Sequence, residues 1–163
     1  MYYFCQMKIT LLAVGKTTSK ELEVLIEDYV KRIGHFVKFE IKFIPNQKLS
    51  KNLSENEVKT AEGVKILEIL KSFESAVLLD DAGETLRSVD FASDLQKQFN
   101  HSQKNICYII GGAYGFSDAV YKTVPRRLSL SKMTLSHQMV RLLFVEQLYR
   151  GLAIINQLPY HHE

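Results

Sequence analysis

An α/β fold, with a mostly parallel sheet and helices on both faces, is predicted by three features of this sequence. Short apolar runs of strand length alternate with stretches of helical period from residue 8 to about residue 157. Several of these runs end in Gly- or Asp-containing turns, as strands do where they leave a sheet. At 163 residues the chain is one domain's worth, enough to bury a core without disulfides or metal.

Lys8–Val14 is the first buried strand and leaves through Gly15-Lys16. Thr18 with Glu21 has the spacing of a capping box, and Leu22, Leu25, Ile26, Tyr29, Val30 and Ile33 repeat at helical spacing until Gly34. Residues 37–43 alternate strictly, Val37, Phe39, Ile41 and Phe43 against Lys38, Glu40 and Lys42, which suits an outer strand with one wet face. Pro45 closes it, residues 46–52 read as a loop, and Ser54 with Glu57 opens a helix towards Ser72 that is buried mainly in its later turns. Residues 76–79 form the next strand, turned by Asp80-Asp81-Ala82-Gly83. Ser88 caps a helix with Phe91, Leu95 and Phe99 on one face, and His101 falls in an exposed loop. The strand 106–110 runs straight into Gly111, Gly112 and Gly115. A short helix from about Asp118 stops before Pro125, and 128–130 is the last strand.

The final helix, residues 138 to about 157, carries apolar side chains around nearly its whole circumference. One sheet cannot bury all of them, and a second subunit is the natural cover, so a homodimer is expected.

Charge and cysteines narrow the setting. With 21 Lys and Arg against 18 Asp and Glu, the net charge of +3 permits contact with nucleic acid, although no dense basic block appears. Cys5 and Cys107 suggest neither a disulfide framework nor a metal cluster. Residues 1–6 lack the pattern of a signal peptide and no apolar run reaches membrane-spanning length, so a cytoplasmic protein without membrane contact is expected. Residues 1–6 read as an N-terminal extension before Met7, and 7–163 as a single domain.

Ligands of open α/β sheets sit outside the carboxyl ends of the strands, and residues 79–83, 111–115 and 130–135 are three such ends. Ser129, Ser131, Lys132, Thr134 and Ser136 crowd polar groups where a helix start exposes unpaired N–H groups, although Ser136 equally fits a plain N-cap before Gln138. The three glycines allow a sharp turn or a close approach. Asp80 and Asp81 have no His or third acid at ligand spacing, so no metal site is expected. Dinucleotide-fold glycines, a phosphate-binding loop, a nucleophile elbow and a zinc pair are all missing, which sets aside the usual NAD, ATP and hydrolase readings.

In combination, Lys8-Ile-Thr-Leu-Leu-Ala-Val-Gly-Lys, Leu79-Asp-Asp-Ala-Gly, Ile109-Ile-Gly-Gly-Ala-Tyr-Gly, the run from Leu128 to Arg141, Glu146-Gln-Leu-Tyr-Arg and Pro159-Tyr-His resemble the RlmH family. These are small SPOUT-class methyltransferases of large-subunit ribosomal RNA, and the likeness runs from Met7 to the last residues. It implies methyl transfer from S-adenosyl-L-methionine to N3 of a pseudouridine in 23S ribosomal RNA, on the assembled ribosome, by a homodimer. It also implies a C-terminal trefoil knot, which pattern reasoning alone argues against.

Residue by residue, the resemblance places Leu79, Gly111, Leu130, Ser131, Lys132, Met133, Thr134 and Leu135 at the cofactor. It makes His137, Tyr160 and His161 catalytic candidates, and Arg141, Glu146, Arg150 and His162 substrate-binding candidates. Read without it, Glu146 and Arg150 are an i,i+4 pair, Arg141 fits a bridge between subunits, and residues 160–163 fit a disordered tail. Two positions depart from the family. Ser136 stands where proline is usual, which loosens the turn before His137, and His162 replaces an Arg or Lys, which makes RNA affinity more sensitive to pH.

The implied reaction needs mainly in-line positioning of nucleophile, methyl and sulfur. N3 lies on the Watson–Crick edge, so the base must be unpaired or splayed out, and Arg141, Arg150 or a protonated histidine can stabilise the charge left by loss of the N3 proton. The competing readings are a non-catalytic RNA-associated module and a methyltransferase of tRNA. Cofactor turnover, and activity on tRNA against ribosomes, separate them.

Overall fold

A computed structural model describes residues 7–46, 53–101 and 104–160. Five strands, β1 (Lys8–Val14), β2 (Lys38–Ile44), β3 (Ser75–Thr85), β4 (Asn105–Ile110) and β5 (Arg127–Ser129), alternate with five helices, α1 (Lys20–Ile33), α2 (Glu55–Leu70), α3 (Ser88–Asn100), α4 (Asp118–Thr123) and α5 (His137–Ile155). The strands pair in the order β2-β1-β4-β3-β5, and every pairing between them is parallel. β2 is an edge strand, as its alternation predicts.

Both faces of the sheet are covered, which explains why β1 and β4 are continuously apolar. Ile9, Leu11 and Ala13 of β1 join Tyr108 of β4 and side chains of α1, α3 and α5 in one core. Leu12 and Val14, with Cys107 and Ile109, face α2 and α4 in the other. α5 lies between α1 and α3, so its buried residues Phe144, Val145, Leu148 and Leu152 are covered within the same chain. The expectation that one chain leaves much of this helix uncovered is met only on its outer side, where Met139 is 45% exposed and Leu143 and Ile154 are half-buried.

Several local expectations are corrected. Ser19, not Thr18, caps α1, its hydroxyl accepting from Leu22 N–H at 3.3 Å. The capping box of α2 forms as expected from Ser54 and Glu57. Its burial, however, begins in the first turn at Val58 and continues through Glu62, Gly63 and Ile66, while Leu67, Ile69 and Leu70 are only half-buried. α3 has Arg87 at its N-cap with no side-chain bond there, and the Ser88 hydroxyl donates to Gln147 on α5 at 2.8 Å. Asp80–Gly83 does not end β3. The strand bulges there and pairs with β5 a second time, Glu84 lying opposite Leu128 as Leu79 does. Most of the expected loop 46–52, the extension 1–6, and His161 and His162 lie outside the described residues.

Candidate functional site

β4, β3 and β5 are neighbours, so the loops that follow them emerge side by side. Between them, under the start of α5, is a cavity of about 380 Å³. That is in the range of small-molecule sites, roughly 300–1,000 Å³. Leu79, Ile110, Leu128, Leu130, Leu135 and Val140 supply apolar wall, and Asp80, Asp81, Ser129, Ser131, Thr134 and His137 are among its polar residues. The three expected stretches therefore converge, although 79–83 does so as the bulge within β3 and not as a strand end.

The last loop is built by its own hydroxyls. Ser129 Oγ donates to the carbonyl of Ser131 at 2.8 Å, and Ser131 Oγ accepts from Met133 N–H at 2.9 Å, which folds the chain back over the cavity. Ser136 then caps α5, accepting from Met139 N–H at 3.3 Å with φ −64°. That φ is one proline also adopts, and the cap is a bond proline does not offer, so serine here holds the turn and does not loosen it.

The glycine loop is close-packed. Gly115 has φ +77°, where other residues are strained, and bonds back to the carbonyl of Gly112 at 3.1 Å. A Cβ on Gly112 would lie 2.3 Å from Oε2 of Glu62, so the buried carboxylate of α2 props the loop from behind. Beside it, Tyr121 donates its hydroxyl to Asp80 Oδ2 at 2.5 Å, and Ala82 N–H holds Oδ1 at 2.8 Å. Burial and the Asp80 bond push the Tyr121 phenol up to about 12, so it stays a donor.

The predicted site residues fall into three groups. Leu79, Gly111, Leu130, Ser131, Met133, Thr134, Leu135 and His137 line the cavity. Lys132 is exposed and outside the wall. Arg141 is not at the cavity. It is 1% exposed and its guanidinium donates to the carbonyls of Val14 and Gly15 at 3.0 and 2.8 Å and to Thr17 Oγ1 at 3.1 Å. It fastens α5 to the end of β1, and burial lowers its pKa without discharging a group that remains charged in proteins. Within this chain it therefore acts as a clamp and lies apart from the cavity.

Glu146, Arg150 and Tyr160 form a third group towards the far end of α5. Arg150 Nη2 meets Glu146 Oε1 at 2.6 Å, the i,i+4 pair the spacing allows. Tyr160 places its hydroxyl 3.3 Å from Glu146 Oε1 and 3.2 Å from Tyr29 Oη, with the Arg150 guanidinium 4.8 Å from its ring centre. Burial, then the bond with Tyr29, raises its pKa. At about 1.5 Å of rise per residue, Arg150 stands roughly 20 Å along the helix from His137, so one chain does not bring the two together.

Asp80 and Asp81 fall in the predicted stretch 79–83, whereas sequence reasoning missed Tyr121 as a cavity residue and Glu62 behind the wall. The mid-helix pair Glu62-Gly63 is the signal that could have found the last, since glycine there costs about 1 kcal/mol against alanine and marks a close approach. Among the described residues no group of three His, Cys, Asp or Glu could hold a metal ion.

Residues 7–161 match the family described as "Predicted SPOUT methyltransferase". The chain is 49% identical to the protein named Ribosomal RNA large subunit methyltransferase H of Flavobacterium johnsoniae over 157 residues, 96% of this chain and 100% of that one. It is 48% identical to the protein of the same name in Porphyromonas gingivalis, with the same coverage. Among solved structures, a putative methylase family protein of Neisseria gonorrhoeae superposes with a TM-score of 0.52 at 12% identity, covering 100% of this chain and 88% of that one. TrmJ of Z. mobilis superposes with a TM-score of 0.50 at 8% identity, covering 89% and 69%. These two likenesses concern the fold alone.

Proposed function

From the premise that the chain belongs to the SPOUT methyltransferase family, we propose that it transfers a methyl group from S-adenosyl-L-methionine to N3 of a pseudouridine in 23S ribosomal RNA, on the assembled ribosome in the cytoplasm. The observation that carries this reading is the cavity at the carboxyl ends of β3, β4 and β5, with His137 in its wall. Its donor set suits the cofactor. Leu130, Leu135 and Val140 offer apolar contact for a purine, and Gly111, Gly112 and Gly115 bring main chain without side chains to the wall. Held there, S-adenosyl-L-methionine supplies a methyl group activated by a sulfonium charge.

The chain's own residues then have distinct tasks. Leu79, Gly111, Leu130, Ser131, Met133, Thr134 and Leu135 hold and orient the cofactor, and Lys132 at the outer edge of the loop meets RNA phosphate. His137 takes the proton that N3 loses as it accepts the methyl group.

Completion of the site by a second copy is part of the proposal. A two-fold axis across the outer side of α5 lays the helices antiparallel, so that Glu146, Arg150 and Tyr160 of one copy meet the cavity mouth of the other. The apolar strip of Met139, Leu143 and Ile154, with Leu25 half exposed on α1, supports this pairing. The trefoil knot implied by the resemblance is proposed with it.

The test is methyl transfer from labelled S-adenosyl-L-methionine to ribosomes, subunits and naked 23S RNA lacking the modification, with mapping of the product. Label at N3 of one large-subunit pseudouridine on assembled ribosomes is expected. Cofactor binding without label on any RNA overturns the catalytic reading and favours an RNA-associated binding module.

A further inference from the structure

We propose that the carboxylates around the cavity make it select the positively charged methyl donor over its uncharged product, so that transfer of the methyl group loosens the hold on what remains. This rests on the reading of the cavity as the S-adenosyl-L-methionine site. The chain as a whole is basic, at +3. Its cavity is not, because Asp80 and Asp81 both line the wall and no Lys or Arg does so among the described residues.

A third carboxylate stands just behind. Glu62 is 4% exposed and lies so close to Gly112 that its Oε2 occupies the space a Cβ there would need. Asp80 is fixed in place by the Tyr121 hydroxyl at 2.5 Å and Ala82 N–H at 2.8 Å, so its charge cannot swing away from an occupant. Two cations flank the wall without lining it. Arg127 lies over the Tyr121 ring, 4.1 Å from its centre, and Lys132 is exposed on the neighbouring loop. His137 is the remaining titratable group of basic type in the wall.

The donor and the product differ by one methyl group and one formal charge. The donor carries a sulfonium in addition to its zwitterionic amino-acid end, and the product is a neutral thioether with the same end. Apolar walls and backbone bonds treat the two almost alike. A field set by fixed carboxylates does not, since each attracts the sulfonium and is indifferent to the thioether.

The experiment measures equilibrium binding of three ligands to the full chain and to Asp81→Asn and Asp80→Asn. The ligands are S-adenosyl-L-methionine, S-adenosylhomocysteine, and an analogue with a protonated amine in place of the methylsulfonium. Asp81 is exposed and its amide isostere is expected to leave the fold intact. Asp81→Asn should weaken both cationic ligands about three- to tenfold, the range for a partly screened charge, and change the neutral one by less than about twofold. Raising the salt concentration should weaken the same two ligands and spare the third. If the variants shift all three ligands alike, or shift none, charge selection is wrong while the cofactor reading stands. If the unaltered chain binds none of the three, the cofactor reading fails and takes this proposal with it.

Discussion

Arg141→Met separates two roles for one side chain, and its size can be worked from the structure. The guanidinium is 1% exposed and makes three bonds of 2.8–3.1 Å, two to the carbonyls that end β1 and one to Thr17. None of these acceptors is a carboxylate, and Nε has no hydrogen-bond partner in the structure. A hydrogen bond to a charged group contributes about 1.5–3 kcal/mol, and the stranded carbonyls add a desolvation penalty. Against this, methionine no longer buries a charge, which returns part of the loss. A net destabilisation of about 3–5 kcal/mol follows, below the plain sum over three such bonds. At a slope of about 2 kcal/mol per molar, the urea midpoint falls by roughly 2 M. Arg141→Lys retains charge but cannot span three acceptors, and should lose about half as much. Urea unfolding followed by circular dichroism, with methyl transfer measured on the same samples, is the assay. If Arg141→Met unfolds with the wild-type midpoint yet loses RNA binding, the clamp is refuted and the substrate role is restored.

Three other outcomes are expected. Gly112→Ala forces a methyl group against Glu62 and should cost about 1–3 kcal/mol and weaken cofactor binding, whereas Glu62→Ala in the same chain should recover part of both in a double-mutant cycle. Burial pushes the Cys107 thiol up to about 12, so its contribution to stability is fully present below the unfolded value near pH 8.5 and is lost as pH rises towards 12. Between about pH 8.5 and pH 10 that amounts to about 2 kcal/mol, and Cys107→Ala should flatten the urea midpoint over this window. Mixed dimers of His137→Ala with Tyr160→Phe chains should recover activity that neither homodimer has, and sedimentation should show Leu143→Arg to be monomeric.

Much of the fold was legible because it depends on local pattern. The alternation of periods gives the element order, the half-wet alternation of residues 38–43 marks β2 as an edge, and Ser54 with Glu57 marks the start of α2. The strand order was not legible, since which neighbours two apolar strands choose depends on crossovers that leave no trace in either strand. The bulge in β3 was hidden for a related reason. Asp80-Asp81-Ala82-Gly83 has turn composition, and the second pairing with β5 becomes visible only when Leu128 is in place opposite both Leu79 and Glu84. The choice of Ser19 over Thr18, and of Gln147 as partner for Ser88, likewise depends on which hydroxyl meets a free donor or acceptor in three dimensions.

The site was legible to the extent that chemistry there is carried by loops following strands. Three stretches were identified and three meet, two as loops that follow β4 and β5 and the third as the bulge inside β3, because neighbouring parallel strands deliver these parts to one edge. Residues on α5 did not obey this logic. His137, Arg141, Glu146 and Arg150 look like one polar series at helical spacing, yet a helix of 19 residues is about 28 Å long and its ends cannot serve one small cavity. Distance along the axis therefore divides the series, placing His137 in the wall, Arg141 under the β1 turn, and Glu146 with Arg150 beside Tyr160. If all the polar groups are to act on one base, the far end must be supplied by a second, antiparallel copy. On the proposed function, the length of α5 then calls for a second copy at the site, independent of how much apolar surface that copy covers.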